Sequence, residues 1–237
     1  MDRLEFSRRA LLAGATVVAA TAAPNPAAAA DATPAATPVP PGLYEAVTYT
    51  FDANAFAAVL DRPFPHRQVV AATTFGEGIA SFAFMRNTIN AYVDPIYFNA
   101  GPKSVHAAAV FYHGASVLLA VDDAMWAKYP LADLTVAPGT TPKPDAKPVH
   151  ANEHAADLNG LVATYGASFF VCNNALSGFA GLLATKLAPA GTAATRDQVV
   201  AIHTELVAHF LPGVMLVPAG VAAINAAQEA RFTFLRA

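Results

Sequence analysis

Four short and almost uninterrupted apolar runs constrain this chain more than any other feature: Val69-Val70-Ala71-Ala72, residues 105–112, Ser168-Phe169-Phe170-Val171 and Val214-Met215-Leu216-Val217. Each is of strand length and lacks the polar alternation of a strand with one wet face, so each is expected to be covered on both sides. Helical stretches separate them, and a fifth run, residues 232–235, closes the chain. Strand and helix in alternation imply an α/β fold: a doubly wound, mainly parallel sheet of about five strands with right-handed crossovers.

The connections carry their own signals. Residues 44–51 alternate like a short strand, and Asp52 is placed to cap a helix over 53–60 that Pro63 and Pro65 prevent from continuing. A helix is expected over 78–92. Residues 117–121 extend the second apolar run past His113-Gly114, and Asp122 caps a short helix containing Trp126. Residues 135–149, with four prolines and two lysines, read as a surface excursion, and a helix over 151–165 ends at Gly166. Another helix runs over 176–187. Thr195 and Gln198 form a capping box for a helix ending near Phe210 before Pro212-Gly213, and 219–230 is the last helix.

At 237 residues the chain suits a single core, and 55% hydrophobic against 13% charged residues excludes a disordered chain. The N-terminus reads as an export signal. Ser7-Arg8-Arg9-Ala10-Leu11-Leu12 pairs arginines ahead of leucines, residues 10–23 are apolar but shorter than the roughly 20 residues of a spanning helix, and Ala28-Ala29-Ala30 is a small-residue cleavage site. Residues 1–30 are therefore expected to be a twin-arginine signal peptide cut before Asp31, residues 31–43 an Ala/Pro-rich linker and 44–237 one domain, delivered folded to the periplasm or another exported location. Eleven basic and fifteen acidic residues remain, a formal charge of −4, with no basic cluster for nucleic acid and no stable membrane span once the signal is removed.

Functional groups in open α/β sheets gather beyond the carboxyl ends of the strands. His113 follows the second apolar run. Cys172 follows the third, just before a helix, where amide dipoles favour a thiolate. As the only cysteine it is either reactive or a small buried hydrophobe. His150-Ala151-Asn152-Glu153-His154 spells H-x-x-E-H, a zinc motif when both imidazoles share a helix face, with Glu153 as base and Glu229 as a distant third ligand. Pro148 puts His150 at or before the helix start, which favours a solvated first turn instead. Arg86 and Asn90 share a helix face and suit a pocket, a subunit contact or a solvated surface. Trp126 and the Phe82/Phe84 pair suit core or oligomer contacts; His203 and His209 suit surface or packing roles; His66 and His106 show no partner spacing. No nucleotide-loop or nucleophile-elbow pattern occurs, and no cofactor is called for.

From about Arg67 to its C-terminus the chain resembles the DsrE/DsrF-like sulfur-relay family. The residues that carry the resemblance are Tyr112-His113-Gly114, Val171-Cys172-Asn173-Asn174-Ala175-Leu176, Leu211-Pro212-Gly213-Val214, and Val217-Pro218-Ala219-Gly220-Val221 followed by Gln228-Glu229 and Phe232-Thr233-Phe234-Leu235. Asn173 stands where many relatives have Gly, and Ala230-Arg231 replaces the Gly before the last aromatic strand. The resemblance implies a three-layer α/β/α domain that forms small homo-oligomers, with a persulfide-carrying cysteine after the third strand. That position is Cys172, with His113 and Asn174 as neighbours, and a sulfur-donor or acceptor protein as partner.

Three functional expectations follow: a periplasmic thiol protein passing sulfane sulfur through Cys172; a non-enzymatic oligomeric module that binds a small molecule or acts as a scaffold, with Cys172 buried; and a zinc hydrolase using His150, Glu153 and His154.

Overall fold

The structure, a computed structural model, describes residues 45–101, 103–135 and 150–237. The proposed signal peptide, the linker and most of the proline-rich excursion lie outside these residues.

Five parallel strands form one sheet: β1 (His66–Ala72), β2 (Val105–Phe111), β3 (Ser168–Cys172), β4 (Val214–Val217) and β5 (Thr233–Arg236), in the spatial order β4-β3-β2-β1-β5. In register, Ala72, Phe111, Val171 and Leu216 form one row across β1 to β4. Every residue of β2 and β3 is buried, as their unbroken apolar runs require. The edge strand β5 is exposed along its length and reads Thr-Phe-Leu-Arg.

The helices are α1 (Ala53–Leu60), α2 (Phe75–Val93), α3 (Asp123–Lys128), α4 (Ala132–Thr135), α5 (Ala155–Tyr165), α6 (Asn173–Leu187), α7 (Arg196–Ala208) and α8 (Gly220–Glu229). Right-handed crossovers decide their faces. The connections from β1 to β4 all advance in one direction, so Phe82 and Met85 of α2, Leu158 of α5, Leu176 of α6 and Val199 of α7 pack with Val70, Phe111, Phe169 and Val171. The connection from β4 returns past β1, so α8 takes the opposite face. Its Ala223 and Ile224 join Phe56 of α1 against Val69, Val110, Phe170 and Val217. The domain is thus a three-layer α/β/α sandwich.

Helix starts follow local chemistry. Asp52 caps α1, and Thr195 and Gln198 form the expected capping box on α7. Thr74 and Glu77 form a second such box, which starts α2 three residues earlier than its apolar spacing suggests. The Glu77 carboxylate also accepts from the Thr73 amide and hydroxyl and lies 3.4 Å from Arg236. Burial opposes its ionisation, but those hydrogen bonds outweigh it and hold its pKa below the usual range. Gly166 ends α5 in the left-handed conformation, at φ 69°.

Three expectations are corrected. Residues 45–52 contain no strand, because they run past the end of the sheet and bond to helix side chains. Residues 117–121 do not continue β2. Gly114, at φ 53°, turns the chain into a 3-10 helix (Gly114–Ala120), where the Ser116 hydroxyl reaches the carbonyls of Ala72 and His113. Helix α5 begins at Ala155, after Asn152 has folded back to donate to the Leu119 and Val121 carbonyls.

Candidate site at the carboxyl edge of the sheet

Strand β3 leads into α6 on one face of the sheet, and its neighbour β4 leads into α8 on the other. The two connections leave the sheet in opposite directions where Cys172 pairs with Val217. That is a topological switch point, where open α/β sheets form a crevice.

Two glycines explain how the chain closes around this edge. A Cβ on Gly220 would lie 1.9 Å from the Tyr112 Cβ, so the start of α8 rests directly on the residue following β2. Val217 belongs to β4, and β3 lies between β4 and β2. The segment Pro218-Ala219 therefore spans about two strand spacings of about 4.8 Å each, crossing the end of β3 where Cys172 sits. Gly114 lies close to the residue following β1: a Cβ there would be 2.3 Å from the Thr73 carbonyl oxygen. The motifs around Tyr112-His113-Gly114 and Ala219-Gly220 thus have packing reasons.

Cys172 is the N-terminal flanking residue of α6, is 5% exposed, and carries a free thiol. Cys172 directly precedes the N-terminus of α6, an amide-rich end whose dipole favours negative charge, whereas α8 begins against Tyr112 at the end of β2. Asn174, in the first turn of α6, is exposed. His113 follows β2, flanks the 3-10 helix and is also exposed. The fold brings His113 and Asn174 to the same edge as Cys172, on neighbouring elements, but with the thiol inside and the other two outside.

The adjacent Asn173 is buried and organises the surroundings. Its Nδ2 donates to the Val47 carbonyl at 2.8 Å, and its Oδ1 lies 2.8 Å from His203 Nε2 in α7. With the amide in that orientation, Oδ1 accepts and the imidazole carries its proton on Nε2. Burial, and then the Arg196 guanidinium, push the His203 pKa down to about 4, so the ring is neutral at physiological pH. The Ser177 hydroxyl of α6 accepts from the Val47 amide at 2.9 Å. Arg196 holds the carbonyls of Glu45 and Ala46 at 2.7 and 3.0 Å. Residues 45–51 are therefore fastened across the end of β3. Neither Tyr49 nor Val47 stood out in the sequence; the doublet Asn173-Asn174 was the only local signal.

The remaining candidates separate. His150 and Glu153 precede α5 and are exposed, while His154 flanks its start, 3.6 Å from Asp157. The helix-borne zinc geometry is thus not formed, and among the described residues no group of three His, Cys, Asp or Glu side chains is placed to hold a metal. Arg86 pairs with Asp157 at 2.6 Å on the surface. Phe82 and Trp126 are core residues, whereas Phe84 is exposed. His209 pairs with Asp122 at 2.9 Å. His106 is fully buried, with Nε2 3.0 Å from the Ser168 hydroxyl. No described helix is long and apolar enough to cross a membrane.

No family model, curated protein or solved structure matches the chain.

Proposed function

We propose that this is an exported DsrE-like thiol protein that accepts and passes on sulfane sulfur at Cys172. The observation that supports it most is the position of that thiol: at the switch point of a parallel sheet, directly before the N-terminus of α6. The thiolate attacks the terminal sulfur of a polysulfide; a bond from Sγ to that sulfur forms, the donor's S–S bond breaks, and a polysulfide one sulfur shorter leaves with the electron pair. A second thiol is then required to take the sulfur from the persulfide, since the chain has one cysteine. A partner protein supplies it in this reading. His113 and Asn174 stand at the mouth of the edge, where they meet the donor or acceptor.

Incubation of the purified domain with inorganic polysulfide, followed by intact mass measurement, tests this. Sulfur added to the wild type, removed by reductant and absent in Cys172→Ser, is the expected result; no added sulfur on the native wild type rules the reading out.

One observation favours a second reading. Cys172 is 5% exposed, which suits a packing residue in a non-enzymatic small-molecule-binding or scaffolding module. Its mark is a native protein whose thiol reacts only on global unfolding.

A further inference from the structure

If Cys172 exchanges sulfur, as proposed above, the buried thiol has to become reachable without unfolding the sheet that carries it. Residues 45–51 are the part of its surroundings best suited to move. Val47 is their only buried side chain, and Glu45, Ala46, Thr48 and Thr50 are exposed. Among the described residues, their polar anchors come from α6 and α7. The Val47 backbone bonds to Asn173 and Ser177, and the Glu45 and Ala46 carbonyls to Arg196. Downstream, Tyr49 meets Phe51 edge-on at 6.4 Å, Phe51 meets Phe56 at 5.8 Å, and Phe56 meets Phe170 at 5.1 Å.

These anchors place Tyr49. Val47 is tied to the residue after Cys172, and the aromatic chain from Phe51 ends on Phe170, two residues before Cys172 and on the same face of β3. Tyr49 lies between these anchors along the chain, with its ring against Phe51 and partly packed on the core of the α2 face. Its hydroxyl is buried and has no hydrogen-bond partner among the described residues. An orphan donor of this kind costs stability while the segment is packed down, and water satisfies it when the segment opens. Burial, and next the Cys172 sulfur, raise the phenol above its ordinary pKa, so the hydroxyl keeps its proton.

We infer that residues 45–51 form a strap that gates Cys172, opening locally to admit a sulfur donor and closing again across the end of β3. Opening exposes the Asn173 amide and the Ser177 hydroxyl to water rather than leaving them buried and unpaired. Segments with few buried apolar contacts open well below the cost of global unfolding.

The test is the alkylation rate of Cys172 by iodoacetamide on the folded chain in increasing urea, alongside global unfolding followed by circular dichroism. The wild type is expected to react at least ten times more slowly than in denaturant, with a urea dependence much shallower than that of unfolding. Arg196→Gln, which releases Glu45 and Ala46 from outside the sheet edge, should speed alkylation several-fold in native conditions, and Tyr49→Ala should do the same. Reaction at the denatured rate in the wild type overturns the gate. So does a urea dependence equal to that of global unfolding, in the wild type and both variants. The readout is independent of sulfur transfer: local opening without persulfide formation leaves the gate and removes the relay, and persulfide formation with no effect of either variant does the reverse.

Discussion

Asn173 Oδ1 accepts a hydrogen bond from His203 Nε2 at 2.8 Å while the same amide donates to Val47, so one buried side chain joins α6, α7 and the strap. Replacing it with glycine removes both bonds and strands the imidazole N–H in the interior. Asn173→Gly, and equally Asn173→Ala, should lower the unfolding free energy by about 2–3 kcal/mol, most of it from the unsatisfied His203 donor. Urea denaturation measures this, and a loss below about 0.5 kcal/mol would show that water takes the amide's place.

Two buried imidazoles make stability pH-dependent. Burial, followed by Arg62 and Arg67, lowers the His106 pKa to about 4, and His203 is lowered to a similar value. In the unfolded chain both titrate near about 6.5. Between the two values the unfolded chain binds more protons, so stability is full above about pH 6.5 and is lost as the pH falls toward 4. Each ring contributes on the order of 3 kcal/mol to that loss. Denaturation midpoints at pH 7 and pH 5 should differ clearly, and His203→Gln should flatten the slope; equal midpoints in the wild type contradict the assignment.

Glu77 acts over a lower range. Its carboxylate holds the Thr73 and Thr74 amides, and its pKa is depressed, so its contribution is present above the ordinary carboxylate pKa and disappears as the pH falls through the folded value. Glu77→Gln should cost about 1 kcal/mol at pH 7 and progressively less at lower pH. A cost that stays constant down to pH 3 would place the effect in packing instead.

The glycine contacts give a paired test. Gly220→Ala forces a Cβ into Tyr112 and should destabilise by about 1–3 kcal/mol. Gly160→Ala, in α5 with nothing within 4 Å of the new carbon, should stabilise by about 0.5–1 kcal/mol through helix propensity. Thermal melts of the two variants should shift in opposite directions; a neutral Gly220→Ala would mean that α8 can retreat from the end of β2.

Continuous apolar runs such as Phe169-Phe170-Val171 can be satisfied only by cover on both faces, so the layered fold was legible in the chain. Turn and cap signals were equally local: Thr195 with Gln198 and the left-handed Gly166 act over a few residues, and the structure follows them. Cys172 at a strand end ahead of a helix was legible for the same reason. What surrounds its thiol was not. Residues 45–51 alternate as a strand does, yet no strand edge is available to them where they run, and hydrogen bonds to Asn173, Ser177 and Arg196, more than a hundred residues away, hold them as a strap. His150-x-x-Glu153-His154 has zinc spacing, yet Asn152 bonds to Leu119 and Val121 and delays the helix to Ala155. Local preference and burial pattern are properties of neighbouring residues, and the sequence by itself determined those. Which distant groups meet, and so whether a thiol is open or buried, depends on long-range packing, and only the tertiary structure decided it.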